Sequence, residues 1–311
     1  MKPYFFIIII INIFFAFEVY EENLKQAKVI EFISTKTINY VEDLKNSGDD
    51  KYYHFHKQLD AYFERAKARI TLNNIIDAHL DLEEVLLRDP EYWHAYYYKG
   101  KLFMKISDYA SALPYLEIAA ENEKNINDLI LLRGIARFEE NVKDRGLNDF
   151  EQLLNRKSLN NSDRFTALFY YSKNSFNSGE LDKSLHSAND AYNINPNNID
   201  LLIHRGNLYR LSNMSDLAIN DLNKALSLGY NNRDIYLYRG MSYIQANQHA
   251  LAELDLEKYL SLSEESDLNR PQALLEFAIV KFYLDDKKEA LINFNKVIKK
   301  IPLESSSYAY R

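Results

Sequence analysis

Cysteine is absent from the 311 residues, which excludes disulfides, thiol nucleophiles and zinc–thiolate sites. Proline and glycine are scarce, at six and eight residues, and no alternating β-branched runs stand beside them, so the chain suits helices better than turn-rich sheets. Positive charge is also short: 38 Lys and Arg face 45 Asp and Glu, for a net charge of −7. A duplex-binding protein needs the opposite sign on a continuous face, so nucleic acid is not an expected partner. Catalytic signatures are missing as well: no nucleophile elbow, phosphate loop, dinucleotide fingerprint or His-Glu-x-x-His pair occurs. The seven histidines are scattered, and His54 and His56, flanking Phe55, have no further ligands at helical spacing. No enzyme activity, metal or cofactor is expected.

What the chain has is a period. Small residues recur every 34 positions at Ala66, Gly100 and Gly134, then after a four-residue slip at Ser172, Gly206 and Gly240, and after a second slip at Ala278. Twelve residues behind runs a second series: Ala78, Ala112, Gly146, Ser184, Ala218, Ala252 and Ala290. Two phased series of small side chains are what a helix–turn–helix repeat needs where its helices cross closely. Four residues after each second small residue stands Leu82, Leu116, Phe150, Leu222, Leu256 or Phe294, and only Ala188 breaks that column. Pro90, Pro196 and Pro302 lie 106 residues apart and close repeats, because proline cannot donate an intrahelical hydrogen bond. Pro114, six residues after the expected helix-opening Asp108, should bend its helix slightly.

These columns place repeats at 59–92, 93–126, 127–160, 165–198, 199–232, 233–266 and 271–304. Blocks of three follow, at 59–164 and 165–270, with the seventh repeat at 271–304 and a tail at 305–311. The pattern resembles the tetratricopeptide (TPR) repeat and covers 246 of 311 residues. The resemblance implies an all-α, right-handed superhelical solenoid of about seven helix–turn–helix repeats. Each repeat would bury its apolar face only against its neighbours, with the ends fraying first.

Residues 1–17 have the layout of a secretory signal: Lys2, then an apolar run from Tyr4 to Phe17 broken only by Asn12, then Glu18, Glu21 and Glu22. Fourteen residues at about 1.5 Å each fall short of a ~30 Å hydrocarbon slab. The readings are a cleaved leader, an uncleaved signal-anchor holding the protein at a membrane, or a buried helix. Entry into the secretory route would place the chain in the endoplasmic reticulum lumen or outside the cell. There the sequons at Asn160 and Asn213 are possible N-glycosylation sites. Residues 18–58 read as a helical extension capping the apolar end of the solenoid, or as a docking arm, with a breaker at Asn46–Asp50.

Function must then lie in the groove. In the TPR fold the fifth and twelfth positions of each first helix point inward. The candidate groove residues are Phe63, Ile70, Tyr97, Met104, Leu131, Phe138, Phe169 and Phe176, continued by Ile203, Leu237, Leu275, Ile244 and Phe282, with Arg210 the one polar member. They make an apolar strip suited to an extended or helical hydrophobic segment. The carboxylate clamp by which some TPR domains hold acidic chaperone tails is absent. Its sole ninth-position asparagine, Asn207, has Ile203, Tyr238, Gln272 and Glu276 where cations and amides are needed. The basic residues in Lys99-Gly100, Arg133-Gly134, Arg205-Gly206 and Arg239-Gly240 read as stems packed along helices with heads paired to acids.

Asp89-Pro90-Glu91-Tyr92-Trp93-His94-Ala95-Tyr96-Tyr97, followed by Ala112-Leu113-Pro114-Tyr115-Leu116, resembles the second TPR unit of the luminal kinase-inhibitor TPR–J-domain co-chaperones. The resemblance implies binding of unfolded protein clients through Phe63, Ile70, Tyr97 and Met104, with luminal chaperone machinery as a further partner. No His is followed by Pro, so the J-domain tripeptide is missing. The alternative is a TPR scaffold presenting one dedicated partner peptide.

Overall fold

The computed structural model describes residues 3–46, 52–229 and 232–300, with side chains for 21–43, 58–142, 146–229 and 232–299. Among the described residues every regular element is an α-helix. A long helix, α1 (Pro3–Asn46), is followed by seven pairs. These are α2 (Tyr52–Thr71) with α3 (Ile75–Arg88), α4 (Trp93–Lys105) with α5 (Tyr109–Asn122), and α6 (Asn127–Glu139) with α7 (Lys143–Leu154). Then come α8 (Asn161–Asn177) with α9 (Leu181–Ile194), α10 (Ile199–Leu211) with α11 (Ser215–Ser227), α12 (Arg233–Gln245) with α13 (His249–Leu262), and α14 (Arg270–Tyr283) with α15 (Lys287–Lys300). The chain divides into two compact units, Met1–Asp149 and Phe150–Arg311, and the division falls inside α7.

One backbone device makes all seven turns. Asn73, Ser107, Asn141, Gly179, Asn213, Asn247 and Asp285 share one column of the repeat, and each has φ between 57° and 80°. The next residue's N–H then reaches back five positions. Asn74 donates to the Arg69 carbonyl at 2.8 Å, Asp108 to Phe103 at 3.0 Å and Gln248 to Tyr243 at 2.8 Å. This is a Schellman closure, which satisfies carbonyls the helix end would otherwise leave unpaired. Asp108 also caps α5, its side chain accepting from Ser111 N–H at 3.1 Å, and α5 runs unbroken through Pro114.

The crossing points are as close as the small residues require. A Cβ added to Gly100 would lie 2.5 Å from Leu116 Cδ2, one on Gly206 would lie 2.9 Å from Leu222 Cγ, and one on Gly240 3.0 Å from Leu256 Cγ. Those leucines form the column behind the second small series, so the two columns are the two sides of one contact. In the fourth repeat Ser172 replaces glycine and Ala188 replaces leucine. There Ser172 Oγ donates to the Ser184 carbonyl at 2.7 Å and Ser184 Oγ to the Ser172 carbonyl at 2.8 Å, stitching the crossing with hydrogen bonds.

The two four-residue slips are absorbed differently. The first lengthens a helix: α8 has 17 residues where α4, α6, α10 and α12 have 13. The second lengthens the loop between Leu262 and Arg270. At both joints an arginine ties down the preceding helix end. Arg164 donates to the Leu154 and Arg156 carbonyls at 3.2 and 3.0 Å, and Arg270 to those of Leu260 and Ser263 at 2.7 Å. Arg164 and Arg270 stand 106 residues apart, as do the closing prolines.

In the first unit α1 lies on α2 through buried Ala27, Ser34, Ile38 and Val41. Arg69 Nε pairs with Glu31 at 3.0 Å and Tyr62 OH donates to Glu42 at 3.3 Å. The apolar residues expected to form a leader or anchor continue into this helix, and their side chains lie outside the described ones, as do Pro302 and the tail. Among the residues searched, no helix is long and apolar enough to cross a membrane.

Candidate functional site

In the first unit the fifth-position residues Phe63, Tyr97 and Leu131 are buried, as is twelfth-position Phe138, while Ile70 and Met104 are half-buried. Phe63 sits edge-on to Tyr92 and Tyr98, both at 5.2 Å, and Tyr97 edge-on to Tyr98 at 5.2 Å. A lysine one turn further on covers each aromatic. Lys67 Nζ lies 4.9 Å from the Phe63 ring and Lys101 Nζ 5.1 Å from the Tyr97 ring. Tyr97 OH donates to Asp128, whose carboxylate also pairs with Lys101 at 2.9 Å. The expected exposed apolar strip is here a packed aromatic row overlaid by ammonium groups.

The second unit opens. Successive first helices α8, α10 and α12 line a cleft of about 400 Å³, with Phe169, Phe176, Ile203 and Tyr238 as apolar walls and Lys173, Asp200, Asn207, Asn232 and Asp234 as polar ones. His204 forms the floor. Its ring is edge-on to Phe169 at 5.9 Å and to Phe176 at 6.0 Å, and its Nε2 lies 2.9 Å from Ser172 Oγ. Burial, aided by Lys173, pushes the imidazole down to about 4, so it is neutral. Lys173 repeats the first unit's arrangement, its Nζ 5.6 Å from the Phe169 ring and 5.0 Å from that of Tyr170. Burial pushes the Asp234 carboxyl up against the opposing pull of Arg233, and Asp267 adds to the rise. Asn207 Oδ1 accepts from Arg210 Nε and Nη2 at 3.1 and 2.8 Å, and burial holds the Arg210 guanidinium below its usual value. Among the described residues no group of three His, Asp or Glu could hold a metal ion.

A tetratricopeptide-repeat family model matches residues 63–125. Over about four-fifths of the chain the fold is similar to that of TPR proteins of known structure. This chain folds as a TPR array. A TPR protein of Parabacteroides merdae superposes with a TM-score of 0.54 at 14% identity over 81% of this chain and 96% of that one. The C-terminal part of a TPR protein from Cytophaga hutchinsonii gives 0.55 at 14%, over 80% and 98%. A chain of the APC/C Cut9–Hcn1 hetero-tetramer gives 0.57 at 13%, over 89% of this chain and 52% of that one, so the match spans about half of that relative. No curated protein matches in sequence.

Within the TPR frame, the cleft gathers Phe169 and Phe176 with Ile203 from the expected groove columns. Phe63, Ile70, Tyr97, Met104, Leu131 and Phe138 belong to the first unit and are not among the cleft's lining residues. Of the second unit's other column members, Leu237 is buried, Ile244, Leu275 and Arg210 are half-buried, and Phe282 is exposed. The sequence reading missed Lys173, His204, Asn232 and the two aspartates of the rim, and met Asn207 only as a failed clamp position. Lys67, Lys101, Lys173 and Asn207 all occupy the ninth position, one turn from the fifth, so extending the column search by that turn would have found them. Both sequons lie at element ends. Asn160 caps α8, with Oδ1 accepting from Asp163 N–H at 2.9 Å and Nδ2 donating to the Asp163 carboxylate at 2.8 Å, whereas Asn213 is an exposed turn residue.

Proposed function

We propose that this TPR array is a non-enzymatic protein-interaction module, and that the α8–α10–α12 cleft takes a short extended segment of a dedicated partner. The observation that carries the reading is the mixed lining of that cleft: aromatic walls beside Lys173, two asparagines and two aspartates. Apolar walls supply burial, while fixed polar groups at the rim reward one sequence over another. Generic capture of unfolded chains needs an exposed apolar strip, and in the first unit the rings that would form one are buried under lysines.

The test is selection of peptides from a random library on the full-length protein. A consensus should emerge, and Phe169→Ala with Lys173→Ala should weaken its binding at least tenfold, on the order of 1.4 kcal/mol or more. Binding without a consensus, equal for any unfolded chain and lost in Phe63→Asp plus Tyr97→Asp, would instead support a client-binding co-chaperone. Placement in the secretory route is a separate proposal resting on residues 4–17. Translation with microsomes tests it: N-terminal cleavage with a glycan at Asn213 supports it, and an unprocessed, unglycosylated chain rejects it.

A further inference from the structure

The three-repeat period gives each cleft residue a counterpart 106 positions earlier, in the first unit. Phe169 and Lys173 keep the ring and the ammonium of Phe63 and Lys67, and Asp234 keeps the carboxylate of Asp128. What changes is the set of side chains that answers that carboxylate. In the first unit Lys101 Nζ lies 2.9 Å from Asp128 Oδ2 and 3.4 Å from the Tyr97 hydroxyl, which itself donates to Asp128. In the second unit Asn207 stands in the place of Lys101 and Ile203 in that of Tyr97, while His204 replaces Tyr98. All three are shorter than their counterparts, and all three line the cleft of about 400 Å³.

The exchange leaves Asp234 without the cation that its counterpart has. Asn207 turns its Oδ1 to Arg210, at 3.1 and 2.8 Å, and brings no charge. Among the described residues no donor bonds the Asp234 carboxylate. Arg233 Nε stands 4.0 Å away, and the Nη2 of the same guanidinium is held by Asp267 at 3.0 Å. Of the charges lining the cleft, Lys173 is set against Asp200 and Asp234, and His204 is neutral, so one negative charge is left over. Lys173 lies over Phe169 and Tyr170 as Lys67 lies over Phe63, an arrangement common to both units.

We propose that the cleft takes a lysine of the partner segment, its ammonium bonding Asp234 as Lys101 bonds Asp128 within the first unit. Such selection presupposes the partner cleft proposed above and names the side chain it reads. Ile203 and Tyr238 offer the lysine stem an apolar wall. The Asp234 side chain is 38% exposed in the free chain, so water satisfies it there. A bound segment removes that water. A neutral residue would then leave a desolvated, unpaired carboxylate, and this penalty is what favours a lysine over an apolar residue of the same length.

The test is selection from a random peptide library on the full-length protein, followed by binding of the consensus peptide. The consensus should contain a fixed lysine. Replacing it by norleucine, which keeps the stem and loses the charge, should weaken binding at least tenfold. On Asp234→Asn, folded by its helical circular dichroism, the lysine and norleucine peptides should bind within about twofold of each other. Asn207→Lys, which supplies the ammonium from the chain itself, should also remove the preference. A consensus that is lost in Phe169→Ala but has no fixed lysine would overturn the proposal and leave the cleft standing. So would a tenfold preference for lysine over norleucine that persists in Asp234→Asn. Failure of any consensus to emerge would remove the cleft and its lysine site together.

Discussion

Ser107 shows how much of this fold rests on single backbone angles. Left-handed backbone costs an L-residue about 1–2 kcal/mol, less for Asn and Asp, whose side chains bond locally. The turn column holds four asparagines, one aspartate, one glycine and Ser107 at φ 58°. Ser107→Gly is therefore expected to stabilise the first unit by roughly 0.5–1 kcal/mol, read as a rise in denaturation midpoint, while Asn247→Gly should change little. A fall in midpoint for Ser107→Gly would mean that its hydroxyl contributes more than its backbone costs. The turn's place was legible in the sequence from the 34-residue period, and Gly179 marked it once. The other six members hide their φ behind ordinary polar side chains.

His204 was invisible for a related reason. A lone histidine at the sixth helix position carries no pattern, and only folding sets it between Phe169, Phe176 and Ser172. Its imidazole is neutral in the fold down to about pH 4, whereas the unfolded chain takes up its proton near 6.5. The unfolded state binds more protons across that window, so stability is full above about pH 6.5 and declines as pH falls towards 4. The loss should be on the order of 1–3 kcal/mol. His94, also pushed down, by burial and Lys67, adds in the same direction. Urea midpoints between pH 4 and 7 should flatten in His204→Gln, and an unchanged slope would show that the imidazole remains hydrated.

At the scale of the element, four of the seven first helices are pinned to their second by an Arg–Asp pair sixteen residues apart. Arg65–Asp81, Arg133–Asp149, Arg205–Asp221 and Arg239–Asp255 are all bidentate, with N–O distances of 2.6 to 3.1 Å. Where the arginine is missing the aspartate is missing too. The second repeat has Lys99 and Tyr115, with the ammonium 4.3 Å from the ring, the fourth Tyr171 and Ser187, and the seventh Phe277 and Asn293. The same first-helix position also reaches back one repeat: Arg205 to Asn189 at 3.1 Å, Arg239 to Asn223 at 2.7 Å, Lys99 to Glu83. Pairing of these basic residues with nearby acids was legible from their place beside the crossing glycines. Deleting one partner strands a buried charge, so Arg205→Met is expected to cost about 3–5 kcal/mol in chemical denaturation, and Arg205→Met with Asp221→Leu to recover most of it. Equal losses in the single and double variants would make the pair a packing element rather than an ionic one. Helix ends were legible wherever a period or a cap announced them. The destination of the two slips was not, because four residues fit equally well as one helical turn in α8 or as loop before α14.

At the scale of the molecule, two compact units rather than one uniform array frame the function. The periodic columns made the all-helical repeat plain, because small residues at crossings and leucines opposite them leave no other register. They did not show where a ligand fits. Groove positions are aromatic in both units, and only packing decides that in the first they close on one another while in the second they open around His204. The most direct measurement is hydrogen exchange on the full-length protein with and without a library-selected peptide. The account predicts slowed exchange at 165–177, 199–211 and 233–245, with 59–72 and 93–106 unchanged. Protection confined to the first unit's helices, or to α1, would contradict it.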